Sequence, residues 1–186
     1  MTKRISAIIL AAGHSRSMGA LKPTLKLGDT TILERSIGLF RDLGIKDVIV
    51  VTGHGAGQIV PIVHDCGARA ILNRQLEHGM FSSVQSRVKA VKTASRAFFV
   101  LPVDIPLVRP QTIEDLLKAY HIGKSKIVFP VFLGKRGHPP LVDGHLQEGL
   151  CICATVLDSE AVLTVSRPCE QCLDAGPSSL RTCLGP

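Results

Sequence analysis

Tryptophan is absent from this 186-residue chain, tyrosine occurs once, and aromatic residues together make up 4% of it. With so few rings on which bases stack, and with no run of Lys or Arg, the chain lacks the platforms and basic stripes of nucleic-acid binders. No stretch approaches the roughly 18 apolar residues of a membrane span, so no membrane partner is expected. The first 150 residues hold Cys66 alone, which excludes a disulfide framework there and fits a reducing compartment. The other five cysteines, Cys151, Cys153, Cys169, Cys172 and Cys183, crowd into the end of the chain.

What remains is an ordinary globular composition, 45% hydrophobic and 20% charged. The length favours one full core over two. A formal charge of +7 without a basic stripe fits a small polyphosphate ligand better than a polymer. The start, Met-Thr-Lys-Arg followed by Ile5 to Gly13, has the outline of a signal peptide. Its apolar part is at the short limit for one, and the same residues read better as a buried first strand entering a functional loop. The expected location is the cytoplasm.

Ile5–Leu10, Asp47–Thr52 and Ala97–Val103 are short apolar runs of the kind that form strands buried on both faces, and 68–72 and 126–131 are weaker versions. Helical spacing appears at Leu33, Ile37 and Phe40, where Thr31-Ile-Leu-Glu34 supplies a capping box. It recurs at Val84, Val88 and Val91, and at Ile113, Leu116, Leu117 and Tyr120 after Pro110. Alternating strand and helix predict an α/β fold: a three-layer, Rossmann-like arrangement with a mostly parallel central sheet and helices on both faces. Gly53-His-Gly-Ala-Gly57 has the look of a dinucleotide loop, but Gln58 stands where the third glycine belongs, and it reads as a flexible loop.

In such sheets ligands bind beyond the carboxyl ends of the strands. The loop after the first strand, Leu10-Ala-Ala-Gly-His-Ser-Arg-Ser-Met-Gly-Ala-Leu-Lys22, opens with small residues that let backbone N–H groups approach an anion, and Arg16 and Lys22 add positive charge. Its spacing is neither that of the P-loop nor that of the dinucleotide fingerprint. Spacing alone leaves open an ordinary glycine-bearing turn with two solvated cations. Asp104, just after a buried strand, offers a hard oxygen donor of the type Mg²⁺ takes, or simply closes a turn. Gly79-Met-Phe-Ser-Ser-Val84 sets Ser82 and Ser83 at a predicted helix N-terminus, where an anionic substrate is favoured; an ordinary N-cap accounts for one of the two.

The loop resembles the signature L-A-A-G-x-S-x-R-M-G-x-x-K of the MobA-like nucleotidyltransferases, above all the molybdenum cofactor cytidylyltransferases. The likeness continues through Asn73 to Val91 (N-x-x-x-x-x-G-M-x-x-S-V), Val103-Asp-Ile-Pro-Leu-Val108 (family G-D-M-P-L-V) and Gly137-His-Pro139 (family G-H-P). It implies nucleotide binding by Leu10, Ala11, Ala12, Gly13, Gly19 and Lys22, with Lys22 on the phosphates. It also implies catalytic roles for Lys22, Arg16 and Asp104, Mg²⁺ on Asp104, and acceptor contacts from Gly79, Ser82, Ser83 and His138. Ala-Ala-Gly in place of Ala-Gly-Gly points within that family to CTP over GTP. The implied reaction transfers CMP from CTP to molybdopterin-bound molybdenum cofactor and releases pyrophosphate, the product passing to a molybdoenzyme. An acceptor such as a sugar phosphate, or a catalytically weakened nucleotide-binding protein, are the alternatives.

Two departures stand out. The family's Arg before Met-Gly falls on Ser17, with Arg16 one place early, where neighbouring residues point in different directions. After Val142 the likeness stops, and no D-x-D-T-P motif for a second metal ligand follows. The chain is accordingly divided into a nucleotidyltransferase domain, 1–142, and a divergent Cys-rich tail, 143–186. A change of reading frame in the coding sequence is one account of that tail, and translation of the other frames tests it. Its cysteines do not make a usual zinc site: Cys-x-Cys is not a knuckle, and no His follows His145.

Overall fold

Seven consecutive buried residues, Ile5–Ala11, form β1, and in the computed structural model they are flanked on both sides by parallel strands. The structure describes residues 4–13, 21–53, 55–73, 95–123, 125–147 and, for its backbone, 162–166. β2 (Lys26–Leu27) and β3 (Thr30–Thr31) form a small antiparallel pair. The remaining strands, β4 (Asp47–Thr52), β5 (Arg69–Leu72), β6 (Ala97–Pro102), β7 (Ile127–Phe132), β8 (Lys135–Arg136), β9 (Leu141–Asp143) and β10 (Val162–Ser166), join β1 in one sheet. Its order is β10-β7-β9-β6-β1-β4-β5, with β8 hairpinned onto β7. β9 runs antiparallel between β6 and β7, and β8 antiparallel to β7; the other pairs are parallel. The mostly parallel sheet predicted from the apolar runs is present. Ordered chain continues through β9 into the 3-10 turn Gly144–Gln147.

Three helices, α1 (Ile32–Asp42), α2 (Ala56–Asp65) and α3 (Pro110–Ile122), are described. Their inward side chains Leu33, Ile37, Phe40, Ile59, Val63, Ile113 and Leu116 share one apolar cluster with Ile5, Ala7, Ile9, Val48, Val50, Phe99 and Leu101. All three therefore cover the same face of the sheet. The alternate strand residues Ile8, Ile49, Val51, Phe98 and Val100 form a second buried cluster on the other face. Burying one such Ile, Val or Phe contributes roughly 1.5–3 kcal/mol, so strand residues turned to either face work for the core. The helix expected on Val84, Val88 and Val91 lies outside the described residues. Among the described residues no helix is long and apolar enough to cross a membrane.

The capping box is formed as read: the Glu34 N–H donates to Thr31 Oγ1 at 3.1 Å and the Thr31 N–H to Glu34 Oε2 at 2.6 Å. The segment after Gly53 departs from the sequence reading. Its loop closes at once into α2, the Gln58 and Ile59 N–H groups both donating to the Gly55 carbonyl at 3.1 Å. Gly57 and Pro61 lie inside this helix, and their reputation as breakers hid it; burial of Ile59 and Val63 outweighs the poor propensity.

The amino-terminal edge of the sheet is stitched by polar side chains. Ser6 Oγ donates to Asp47 at 2.7 Å, and Arg69 pairs with the other Asp47 oxygen at 2.7 Å. Farther along that edge the Tyr120 hydroxyl reaches Asp143 at 2.5 Å, while His145 contributes its backbone N–H at 2.9 Å and Nδ1 at 2.8 Å. Burial pushes the Asp143 carboxyl up, but the hydrogen bonds from Tyr120 and His145 outweigh it and hold its pKa below the ordinary value. Burial, with the Asp143 hydrogen bond and charge, raises the Tyr120 hydroxyl to about 12.

Thr31→Ala should cost about 1 kcal/mol in urea unfolding, the usual loss for an N-cap. Tyr120→Phe should cost about 1–2 kcal/mol near neutral pH, as for a hydrogen bond to a carboxylate. A pKa raised on folding, from 10.0 to about 12, stabilises fully below pH 10 and fades as the pH climbs to 12. The gap between Tyr120→Phe and the wild type should therefore narrow across that interval; a constant gap would contradict the assignment.

Candidate functional site

Residues flanking the carboxyl ends of β1, β4 and β6 build the candidate site. β1 leaves the sheet through Ala11 and Ala12, both buried, and reaches solvent at Gly13. Gly13 has no left-handed backbone angle, and among the described residues a Cβ added there would meet nothing within 4 Å. The described residues therefore place no demand for glycine at this position, whereas a ligand approaching the backbone would. The Val103 N–H donates to the Leu10 carbonyl at 3.1 Å, continuing the β1–β6 ladder one step beyond the strand, and the Ile105 N–H closes a turn onto Pro102 at 3.2 Å. Asp104 sits between those two bonds, exposed at the tip of the turn.

Lys22 opens the 3-10 turn Lys22–Thr24 and is half-buried. The turn is fixed by buried Pro23 and by Thr24, whose N–H and Oγ1 both donate to the Leu21 carbonyl at 2.9 Å. It packs against α1 and α2. Because α2 begins just past the end of β4, Lys22 stands at the same edge of the sheet as Gly13 and Asp104.

His138 comes in from the other side. A cis peptide bond joins it to Pro139, and the following Pro140 carbonyl accepts the Val100 N–H at 3.2 Å, which lays this loop along β6. The imidazole keeps solvent contact, but the protein packed around it disfavours its charged form. Its pKa falls below the ordinary histidine value, against the pull of the Asp104 carboxylate and of a hydrogen bond with the Val100 backbone. His138 and Asp104 thus belong to one electrostatic neighbourhood.

Of the residues singled out in the sequence, the structure brings Leu10, Ala11, Ala12, Gly13, Lys22, Asp104 and His138 to this edge. Arg16, Gly19, Gly79, Ser82 and Ser83 lie outside the described residues. One residue went without a role: Asn73 is 2% exposed at the end of β5, its N–H on the Thr52 carbonyl at 2.8 Å. Its signal in the sequence was a polar amide directly after an apolar strand, at the head of the second motif. Among the described residues no three His, Cys, Asp or Glu side chains gather as a metal cage. A lone exposed carboxylate fits Mg²⁺ nonetheless, because that ion commonly takes one or two protein carboxylates and completes its shell with water and substrate phosphates.

Comparison with known proteins bears on this site. A probable molybdenum cofactor guanylyltransferase of Opitutus terrae is 29% identical over 125 residues, covering 67% of this chain and 59% of that protein. Part of the relative's length thus has no counterpart in the match. Rv0371C of Mycobacterium tuberculosis H37Rv in complex with manganese superposes with a TM-score of 0.72 at 19% identity, over 89% of this chain and 90% of that one. The 4-diphosphocytidyl-2C-methyl-D-erythritol synthase of Anaerococcus prevotii gives 0.67 at 17% identity, over 87% and 86%. These two likenesses establish the fold. The family model described as the MobA-like NTP transferase domain matches residues 7–158, past the last of the four motifs, and the chain belongs to that family.

Proposed function

We propose that this protein transfers CMP from CTP to a molybdopterin-bound molybdenum cofactor in the cytoplasm, for delivery to a molybdoenzyme. The observation that carries the reading is the backbone bond from Val103 to Leu10, which sets Asp104 beside the root of a glycine loop where, among the described residues, nothing crowds Gly13. The backbone of Leu10 to Gly13 holds base and ribose, with Gly19 farther along the same loop. Lys22 and Arg16 neutralise the triphosphate, and Gly79, Ser82, Ser83 and His138 seat the acceptor. An oxygen of the acceptor's terminal phosphate attacks the α-phosphorus in line. The bond from that phosphorus to the β-phosphate oxygen breaks, and pyrophosphate leaves with the electron pair. Mg²⁺ held by Asp104 and the substrate phosphates supplies further charge neutralisation when bound.

The Ala-Ala-Gly form of the loop favours CTP. The name of the Opitutus relative favours GTP as a second reading with the same chemistry.

Calorimetric titration of CTP, GTP and ATP with Mg²⁺ tests the proposal. Expected are selective micromolar binding of CTP and about tenfold weaker binding, ~1.4 kcal/mol, in each of Lys22→Ala and Asp104→Ala. Pyrophosphate should appear only when the molybdenum cofactor is added. Preference for GTP would transfer the reading to guanylyl transfer, release with sugar phosphates would move the acceptor, and absence of nucleotide binding would overturn it. Gly13→Val separates ligand from fold: stability should stay within about 0.5 kcal/mol of the wild type while nucleotide affinity falls at least about tenfold.

A further inference from the structure

The glycines of Gly53-His-Gly-Ala-Gly57 have no part in the scheme above, and the middle one is tightly constrained. Gly55 has φ −89° and ψ 15°, a conformation open to any residue, so backbone freedom does not call for glycine here. Room does. A Cβ on Gly55 would lie 2.5 and 2.8 Å from the two methyl carbons of Leu21 and 3.2 Å from its Cγ. Both methyl carbons and the branch carbon of Leu21 lie within reach of that Cβ, so the Leu21 side chain has to turn as a whole or its backbone has to shift.

Gly55 itself is held in place by α2. Its carbonyl accepts two N–H groups at the start of α2, at 3.1 Å each. Leu21 belongs to the short segment that carries Lys22, and its own carbonyl holds the 3-10 turn through Thr24. Where the Leu21 backbone shifts to relieve the overlap, the shift passes through one peptide bond to Lys22. Gly57 provides the contrast within the same motif, because among the described residues a Cβ there would meet nothing within 4 Å.

We infer that Gly55 is a positioning residue for the triphosphate: its bare Cα seats Leu21 and thereby sets where Lys22 stands. The inference rests on the proposed role of Lys22. The G-x-G pattern after β4 is then a socket for a side chain of the phosphate loop, with no nucleotide of its own.

The test uses whichever of CTP and GTP the wild type binds more tightly, together with its monophosphate, by calorimetry with Mg²⁺. Gly55→Ala should weaken the triphosphate about tenfold, ~1.4 kcal/mol, and leave the monophosphate within twofold. Gly57→Ala should bind both like the wild type. Leu21→Ala combined with Gly55→Ala should restore the affinity of Leu21→Ala alone, since the overlapping group is gone. That restoration also covers the case in which Gly55→Ala by itself folds poorly. Wild-type triphosphate affinity in Gly55→Ala, an equal loss for both nucleotides, or no recovery in the double variant would overturn the inference. Lys22→Ala measured alongside separates the layers: undiminished triphosphate binding there overturns the role of Lys22 and the inference with it, whereas a loss there beside an unaffected Gly55→Ala overturns the inference alone.

Discussion

The structure hangs on the placement of β1 between β4 and β6 in parallel register, with every side chain from Ile5 to Ala11 buried. A strand covered on both faces and hydrogen-bonded on both edges has no freedom to slip, because a shift of one residue would exchange its two apolar sets between differently shaped clusters. The loop after Ala11 therefore starts from a fixed point, and the turn carrying Asp104 is tied to it by one further rung of the same ladder. The spacing between the root of the loop after β1 and the turn carrying Asp104 is thus a property of backbone pairing, and side-chain identity at Leu10 and Val103 has little hold on it.

The edge opposite the site has different chemistry. Strand starts are joined there by Ser6, Asp47 and Arg69, and the antiparallel β9 is locked by Tyr120 and Asp143. Short polar bonds thus tie the end of the sheet opposite the candidate site.

Much of this was legible in the residues. Unbroken apolar runs of four to six residues, Ala7–Ala12, Val48–Val51 and Ala97–Leu101, announced β1, β4 and β6, since strands buried on both faces need no alternation. Thr31 and Glu34 marked the start of α1 to the residue. α2 was missed because Gly57 and Pro61 weigh against a helix locally, while what favours it, the seating of Ile59 and Val63 beneath the sheet, is a tertiary effect. β9 was missed for a similar reason: three residues following two prolines carry no period, and one of their two partners, β6, lies more than forty residues earlier in sequence. At the site, Gly13, Lys22 and Asp104 could be named from the motif alone. The seating of Leu21 against Gly55 could not, since it joins two segments whose proximity exists only once β1 and β4 are side by side.

Tyr120 gives the fold an optical property. With no tryptophan and a single tyrosine, the near-ultraviolet signal above the phenylalanine bands belongs to one ring. That ring is carried by α3 into the core and bonded to Asp143, at the end of the sheet remote from the candidate nucleotide site. Its dichroism and emission therefore watch the docking of β9 and α3, while absorbance changes brought by an added nucleobase arise at the other end of the molecule. The chain carries its own spectroscopic separation between assembly of the carboxyl half of the sheet and occupation of the site.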